Sequence, residues 1–377
     1  IMARSIGPTA LGQFSSTLTV ARLSSLFITL GMDQWLLRNG GHSHYGLSES
    51  VTSILTTKVL LGFPWFLLLG LLMPAVNPEL FVPEVVYPVA IVVWGEEIIN
   101  TIITGFQADT NVRWASIVTV IPQSLILAGT ILVAAVSSSL TTQLVMRVAI
   151  MVVYSVLVVV LWRWTHGFKY SPLQLSPLLR AASPFAVSNL LVVLYGTADI
   201  VLVAQLLGST AAGIYSPASM LIGLFLLVPT TYFAVMVPIL SREYINGSSS
   251  LFRYNSTYIY ASILLGFLLA VGMLIVAPWF VSIAYGSAYF KTLELLPALS
   301  AVVWLHTIAF SLAGILTSLD LQRQRLIPQV AAATLNIVIN LLLLPRFGLV
   351  AAAWSYVASE LVLLGGYLII YHMARGR

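Results

Sequence analysis

The chain has 377 residues, of which 59% are apolar and only 8% are charged, and its formal net charge is +5. The surface of a soluble domain needs roughly a quarter of charged residues, so this composition excludes a soluble globular protein and predicts a membrane protein. The sequence contains no cysteine and no GxxxxGK[ST] loop, which excludes thiolate chemistry and direct use of ATP. Its basic residues are scattered, which argues against a nucleic-acid partner.

Taken in chain order, eleven apolar segments are long enough to cross a bilayer, which requires roughly 20 helical residues. Runs such as VYSVLVVVLW are apolar throughout, whereas the strands of a membrane barrel alternate apolar and polar residues. The sequence therefore predicts an all-α polytopic membrane protein. Its spans are predicted at 11–30, 50–73, 85–106, 114–136, 142–164, 183–206, 213–238, 256–277, 294–317, 326–344 and 350–371.

The connections between these spans are short, and their basic residues are unevenly distributed. If residue 1 lies outside, eleven cations fall in cytoplasmic turns and three fall outside. This excess of inner cations predicts a cytoplasmic C-terminus. The eleven are Arg38, Arg113, Arg163, Lys169, Arg180, Arg242, Arg253, Arg323, Arg325, Arg375 and Arg377, and the three are Arg4, Lys291 and Arg346.

The longest connection, RWTHGFKYSPLQLSPLLR, is polar and contains two prolines. Such a composition is typical of a linker. We therefore predict an N-terminal lobe at residues 1–164, a cytoplasmic linker at 165–180 and a C-terminal lobe at 181–377.

A short motif occurs twice at a constant offset of 201 residues, as ARSIGPTALGQFS from Ala3 and AQLLGSTAAGIYS from Ala204. Six positions are identical, among them Gly7 and Gly208. The offset spans six helices, so both copies start on the same side of the membrane, as in parallel repeats. This predicts two six-helix lobes and a further helix ahead of Ile1. The alternative is a chance resemblance between two short glycine-containing turns.

Cations inside the predicted spans are candidate binding residues, because each costs a few kcal/mol at the bilayer centre. Arg22 lies roughly 15 Å along its helix from Gly12, near the membrane midplane, and a guanidinium matches phosphate oxygens bidentately. Lys58 lies nearer the cytoplasmic end of its span. We predict that Arg22 and Lys58 bind substrate, and the alternative for Arg22 is a structural pair with a neighbouring carboxylate.

Carboxylates inside the spans are candidate ion-coupling residues, and we assign this role to Asp199, Glu97 and Glu96. A low dielectric disfavours the charged form of a carboxylate, so each could take up a proton or hold a cation. Adjacent helical positions point about 100° apart, so we expect only one of Glu96 and Glu97 to face a cavity. The alternative for Asp199 is a hydrogen bond between helices. Glu360 is interpreted as structural. We predict no metal site at His306, because no second histidine lies at the spacing of a metal ligand.

Four segments, in this order and spacing, resemble the polysaccharide transporter family. They are LGMDQWLLR (30–38), YGTADIVLVAQLLGSTAAGIYSPA (195–218), YGSAYFKTLELL (285–296) and PRFGLVAAAWS (345–355). This family belongs to the superfamily of the MATE multidrug exporters and the lipid II flippases. The resemblance implies two six-helix bundles around a central cavity and an aspartate at the place of Asp199.

The same resemblance implies an activity. A protein of this family is expected to move a polyprenyl-diphosphate-linked oligosaccharide from the inner to the outer leaflet of the cytoplasmic membrane, without a cofactor. The partners so implied are that lipid-linked glycan, membrane lipid and other membrane proteins of glycan assembly. Because no nucleotide-binding loop is present, we expect an ion gradient of H⁺ or Na⁺ to drive the transport.

Two other functions stay open on the sequence. A MATE-like exporter of small organic cations, coupled to H⁺ or Na⁺, would share the fold but prefer an acidic cavity, and carboxylates outnumber cations inside these spans. A membrane enzyme such as a glycan polymerase or ligase would need a long outer loop with catalytic side chains. The outer turns predicted here are short, so we do not expect an enzyme.

Overall fold

The computed structural model describes residues 2–39, 46–137, 139–169, 197–245, 251–319 and 321–375. The elements within these ranges are helical, with no strand among them. The chain divides into two compact units, Ile1–Val193 and Leu194–Arg377. The predicted linker at 165–180 lies outside the described residues beyond residue 169.

The helices of the first unit follow one another with short connections. They are α1 (Met2–Thr29), α2 (Met32–Asn39), α3 (Leu47–Val76), α4 (Pro83–Ala108), α5 (Val112–Val136) and α6 (Leu140–His166).

The second unit contains α7, described over Thr197–Leu207, and five longer helices. These are α8 (Ser209–Ile245), α9 (Leu251–Ala284), α10 (Leu296–Ser318), α11 (Gln322–Phe347) and α12 (Leu349–Arg375), with a 3₁₀ helix at Ser287–Leu295 between α9 and α10.

Nine of the eleven predicted spans coincide with helices that are long and apolar enough to cross a membrane within the described ranges. The prediction of an all-α polytopic membrane protein is thereby confirmed. The predicted span 11–30 lies in α1, which is not among the nine; this helix is rich in serine and threonine and carries Arg22. The predicted span 183–206 lies outside the described residues except for its last ten positions, which fall in α7.

Local sequence signals account for several helix ends. The Asn111 side chain accepts a hydrogen bond from the Trp114 backbone N–H at the start of α5, as an N-cap residue does. Proline occupies the first turn of α4 and of α10, where its missing N–H costs nothing. Gly167 and Gly348 end α6 and α11 with φ of 73° and 62°, values that favour glycine.

The backbone of α1 departs from a regular helix at two places. Gly7 has φ 81° and ψ 171°, which makes a kink just before Pro8. At the other end, Leu30 and Gly31 have φ of 45° and 74°, and the chain changes direction there into α2. Asp33 is thereby placed in the first turn of α2 instead of one turn further along α1.

The repeat motif has the same backbone feature in both copies. Gly208, which stands at the position of Gly7 in the second copy, has φ 88° and separates α7 from α8. An L-amino acid with a side chain rarely adopts such values. The sequence repeat therefore extends to the backbone conformation at this position.

One helix forms the centre of each unit. The α4 and α10 spans are 61% and 67% buried, more than any other span described. In the first unit, α3 approaches α4 so closely at Gly62 that a Cβ there would lie 2.1 Å from the Trp94 indole nitrogen. This close approach brings the side chains of α3 and α4 into direct contact beside the candidate site.

Candidate functional site

A polar cavity of about 450 Å³ lies within the first unit, between α1, α2, α4, α5 and α6. Its charged lining residues are Arg22, Asp33, Glu96 and Glu97. Its uncharged polar lining residues are Ser25, Thr29, Gln34, Asn100, Thr119 and Gln123. The described lining of the cavity thus carries three carboxylates and one exposed cation, which makes it an ionic site inside an apolar protein.

Arg22 of α1 faces Glu96 of α4 across this cavity. Its Nη2 lies 3.1 Å from both carboxylate oxygens of Glu96, and its Nε donates to Oε2 at 3.3 Å. About half of the Arg22 side chain, 53%, stays exposed. Arg22 is therefore paired with a carboxylate, as the alternative interpretation expected, while half of its side chain stays exposed. Its substrate-binding role stays a prediction.

Lys58 of α3 is fully buried and lies behind the cavity wall. Its Nζ donates to Asp33 Oδ2 at 2.7 Å and to the Glu97 backbone carbonyl at 2.9 Å, and it lies 3.4 Å from Glu97 Oε2. Three acceptors saturate the three N–H groups of an ammonium. A contact between Lys58 and substrate would require release from these partners, and its predicted binding role stays a prediction.

Further hydrogen bonds fix the two carboxylates of this group, which we call the Lys58 cluster (Asp33, Lys58 and Glu97). Thr101 Oγ1 donates to Asp33 Oδ1 at 3.0 Å, and Ser25 Oγ donates to Glu97 Oε1 at 2.8 Å. The cluster therefore connects α1, α2, α3 and α4 through polar contacts next to the cavity.

The expectation that only one of Glu96 and Glu97 faces a cavity is wrong, because both line it. Their side chains diverge as the helical geometry requires, and Glu96 reaches Arg22 while Glu97 reaches Ser25 and Lys58. The cavity extends far enough around α4 for both side chains to line it.

Two charged residues of this region were missed in the sequence. Asp33 lies beyond the predicted span 11–30 and was not singled out, because nothing in the sequence located the break at Leu30 and Gly31. Arg147 lies in α6, seven residues after its first residue Leu140, and is partly buried. The rule that singles out ionisable residues inside spans would have found Arg147.

The second unit holds a buried network around Asp199, the last candidate ion-coupling residue. Asp199 accepts hydrogen bonds from the Tyr215 hydroxyl at 3.2 Å and from Asn340 Nδ2 at 2.7 Å. Asn340 also donates to Asn336 Oδ1 at 3.0 Å and accepts from Ser355 Oγ at 3.0 Å. These five residues, the Asp199 network, join α7, α8, α11 and α12 and are all at least 95% buried.

Glu360 of α12, interpreted as structural, has a partner that the sequence did not predict. Its Oε1 lies 2.6 Å from Nδ1 of His306 on α10, and the Glu360 side chain is fully buried. Among the described residues, no group of three or more Asp, Glu, His or Cys side chains could hold a metal ion.

A family model described as polysaccharide biosynthesis protein matches residues 1–294. The chain belongs to this family. The match covers more than three quarters of the chain, including the cavity of the first unit and Asp199, and it confirms the family resemblance found in the sequence.

The fold of this polysaccharide biosynthesis protein is similar to that of solved membrane transporters. A multidrug resistance MATE family transporter of the MOP superfamily, in an inward-facing conformation, has a TM-score of 0.75 at 13% identity, with 98% of this chain and 91% of the other covered. The lipid II flippase MurJ, inward closed, has a TM-score of 0.69 at 12% identity, with 97% and 86% covered.

The description of a further solved structure mentions the polarity of its binding pocket. A MOP superfamily transporter from Pyrococcus furiosus, described as having a binding pocket of reverse polarity, has a TM-score of 0.66 at 12% identity and covers 100% of this chain and 89% of its own. Among curated protein sequences, none matches this chain significantly.

The family and the fold together identify a multi-pass membrane protein of polysaccharide biosynthesis with the architecture of a transporter. The solved structures named above are described as transporters and a flippase.

Proposed function

We propose that this protein is an alternating-access flippase, which translocates a polyprenyl-diphosphate-linked oligosaccharide from the inner to the outer leaflet of the cytoplasmic membrane. An ion gradient of H⁺ or Na⁺ drives the cycle. The two units act as the two lobes of the transporter, and the C-terminus lies on the cytoplasmic side.

The observation that carries this proposal is the half-exposed Arg22 side chain in the polar cavity of a polysaccharide biosynthesis protein. An oligosaccharide destined for the outer leaflet needs a polar path, and its diphosphate needs a cation inside the membrane. A guanidinium supplies two parallel N–H donors to phosphate oxygens. In this proposal Arg22 holds the diphosphate while the sugar lies against amide and hydroxyl groups such as Asn100 and Gln123.

The coupling ion is assigned to the Asp199 network. Carboxylate, amide and hydroxyl oxygens are hard ligands that suit a small hard cation, and a buried carboxylate equally accepts a proton. A ligand shifts a conformational equilibrium only by its differential affinity for the two states. The network fits this role because it contacts four helices, so that a movement of any of them changes the coordination of Asp199. Glu97 and Glu96 are the next candidates.

The experiment that tests the substrate assignment uses substitutions of Arg22. In cells that depend on this protein for polysaccharide export, Arg22→Gln is expected to abolish export while the protein accumulates normally in the membrane. Arg22→Lys is expected to restore only part of it, because the planar fork is lost. Loss of a charged hydrogen bond of about 1.5–3 kcal/mol corresponds to roughly 10- to 100-fold weaker lipid binding.

The matched control is Arg113→Gln, which removes an exposed arginine at the start of α5 outside the cavity lining. Its export should equal that of the wild type. Normal export by Arg22→Gln would refute the diphosphate assignment.

One observation favours a second function, the export of small organic cations coupled to H⁺ or Na⁺. Among the described residues that line the cavity, one is a cation, Arg22, and three are carboxylates, Asp33, Glu96 and Glu97. An acidic lining attracts cationic substrates. The two functions differ in what purified protein binds, since the flippase retains anionic lipid and the exporter binds lipophilic cations.

A further inference from the structure

A histidine and a glutamate meet in the middle of the second unit. His306 lies near the midpoint of the 23-residue helix α10, and Glu360 lies near the midpoint of the 27-residue helix α12. At about 1.5 Å per residue, each is roughly 15 Å or more from both ends of its helix. The pair therefore lies deep inside the membrane-spanning part of the protein, and it belongs neither to the cavity of the first unit nor to the Asp199 network.

The contact between the two side chains is short and enclosed. His306 Nδ1 lies 2.6 Å from Glu360 Oε1, the Glu360 side chain is fully buried, and 14% of the His306 side chain is exposed. Among the described residues, Glu360 is the only carboxylate paired with His306, and His306 Nε2 has no hydrogen-bond partner. Because only the histidine of the pair is accessible, a proton reaches the pair through the imidazole.

The imidazole of His306 also contacts an aromatic cluster. The ring centroid of Phe310, one turn further along α10, lies 4.7 Å from the imidazole centroid. Phe233 of α8 packs edge-on against Phe310 with 5.3 Å between the ring centroids. Aromatic rings attract a cation electrostatically. These surroundings are therefore compatible with an imidazolium at His306, whose charge Glu360 balances.

Other titratable groups surround the pair without forming an ion pair with His306. On α12, Tyr356 lies one turn before Glu360 and interacts electrostatically with Glu360 and with Asp199 of α7. The elements packed against α10 also carry the titratable side chains of Tyr215 and Tyr232 on α8, Tyr258 on α9, Tyr289, Lys291 and Glu294 on the 3₁₀ helix, Arg325 on α11 and Tyr367 on α12. The charge of the pair therefore changes when a proton binds to one of its own two members.

The pair can bind and release one proton while its hydrogen bond persists. Without this proton, the neutral imidazole donates its Nδ1–H to the Glu360 carboxylate, and the pair carries one negative charge. A proton delivered by hydronium forms an N–H bond at Nε2 and leaves water, and the pair becomes neutral. The two forms differ by one buried charge, so any movement that changes the enclosure of the pair changes its affinity for the proton.

We infer that His306 and Glu360 form a proton-binding site of the transport cycle, which takes one proton from water and returns it to water after the conformational change. The inference rests on the proposed function and adds a second ion-binding site to the Asp199 network of the same unit. The pair joins α12 to α10, the most buried span described in this unit. Because coupling is reciprocal, a proton that binds more tightly in one arrangement of these helices favours that arrangement. Both sites must be occupied before the transporter changes conformation.

The first measurement is a pH titration of the histidine side chains by NMR, with the purified full chain isotopically labelled at histidine. The signal missing from His306→Gln identifies His306, and in the wild type it is expected to titrate between about pH 5 and 9. Glu360→Gln removes the negative partner and should move the midpoint to lower pH by about one unit or more. The control is His372→Gln, which changes an exposed histidine of α12 and should leave the His306 midpoint in place.

The second measurement is the pH profile of transport of a polyprenyl-diphosphate-linked oligosaccharide in liposomes. The wild-type rate should change by up to about tenfold per pH unit around the His306 midpoint, the limit for one proton. The double variant His306→Gln/Glu360→Gln can keep a hydrogen bond between two amides but binds no proton, so its profile should lack this step. The same variant carries the test if a single substitution prevents folding.

A His306 signal that stays in one protonation state from about pH 5 to 9 would overturn the proton site and leave the proposed function intact. A double variant that retains the step in its transport profile would show that the pair only holds α10 and α12 together. If the wild type does not move the lipid-linked sugar at any pH, the proposed function fails together with the role of the pair in transport, and the NMR titration still decides whether the pair binds a proton.

Discussion

At the scale of single residues, Lys58 is the most completely buried charged side chain among the described residues of the first unit. Its ammonium is fully buried between Asp33 and Glu97, with contacts of 2.7 and 3.4 Å to their carboxylates. Removal of one member of a buried ionic group leaves the others unpaired, which costs more than the group contributes when intact. Lys58 is thus a residue on which the stability of the first unit depends.

Lys58→Met is expected to lower the stability of the protein by about 3 kcal/mol, because Asp33 and Glu97 would then face each other without a cation. The double variant Lys58→Met/Asp33→Asn should recover part of this loss, since it removes one of the unpaired charges. The melting temperature of the purified protein in detergent measures both effects.

Lys291→Met is the matched control, because it removes an exposed lysine of the 3₁₀ helix. It should melt as the wild type does. A Lys58→Met variant that also melts like the wild type would show that the cluster contributes nothing to stability and that Lys58 is free for another role.

The sequence predicted part of the ionic site for a clear physical reason. A charge inside an apolar run is expensive, so Arg22, Glu96 and Glu97 stood out against their surroundings, and all three line the cavity. The pairing between them depends on how helices pack, which no periodicity reveals. Asp33 was not predicted because its position follows from two left-handed residues, Leu30 and Gly31, of which only the glycine is a usual signal.

At the scale of helices and turns, the two copies of the repeat motif share a glycine with unusual backbone angles. Gly7 and Gly208 have φ of 81° and 88°, and no atom of the described residues lies within 4 Å of a Cβ built at either position. Space is therefore available for a side chain, and only the backbone conformation demands glycine. Glycine is therefore required at these two positions by the backbone conformation and not by the packing of neighbouring side chains.

Alanine at Gly7 or Gly208 is expected to destabilise the protein by about 1–3 kcal/mol, the cost of holding a residue with a side chain in a sparsely populated backbone region. Gly223→Ala is the control, because Gly223 in α8 also has open space around a Cβ but no positive φ. There alanine should be neutral or raise stability by up to about 1 kcal/mol, given its higher helix propensity. Equal melting temperatures for Gly208→Ala and Gly223→Ala would contradict the role assigned to the backbone angle.

Helix positions were predicted more successfully than helix ends and breaks. Nine long apolar runs became spans where expected, because each must satisfy its backbone hydrogen bonds internally in lipid. Several helices extend beyond the predicted apolar span. For α3 the predicted span is 50–73, and the helix covers Leu47–Val76. The short helix α2 and the 3₁₀ helix Ser287–Leu295 were missed, since neither has an apolar run of spanning length.

For the whole molecule, the two units differ in the chemistry of their polar interiors. In the first unit a cavity lined by Arg22 and three carboxylates adjoins the Lys58 cluster. In the second unit the Asp199 network combines one carboxylate with amides and hydroxyls. In the proposed function the two units have different roles, because the first unit binds the diphosphate and the second unit binds the coupling ion.

The measurement that tests the central claim most directly is transport by the purified protein in liposomes that carry a polyprenyl-diphosphate-linked oligosaccharide. With an imposed H⁺ or Na⁺ gradient, the wild type should move the lipid-linked sugar across the bilayer. Asp199→Asn should still bind the lipid but lose the response to the gradient, because it can neither ionise nor be protonated. The lipophilic cation tetraphenylphosphonium should not be transported. Gradient-driven uptake of tetraphenylphosphonium without movement of the lipid-linked sugar would contradict the account and establish an exporter of organic cations instead.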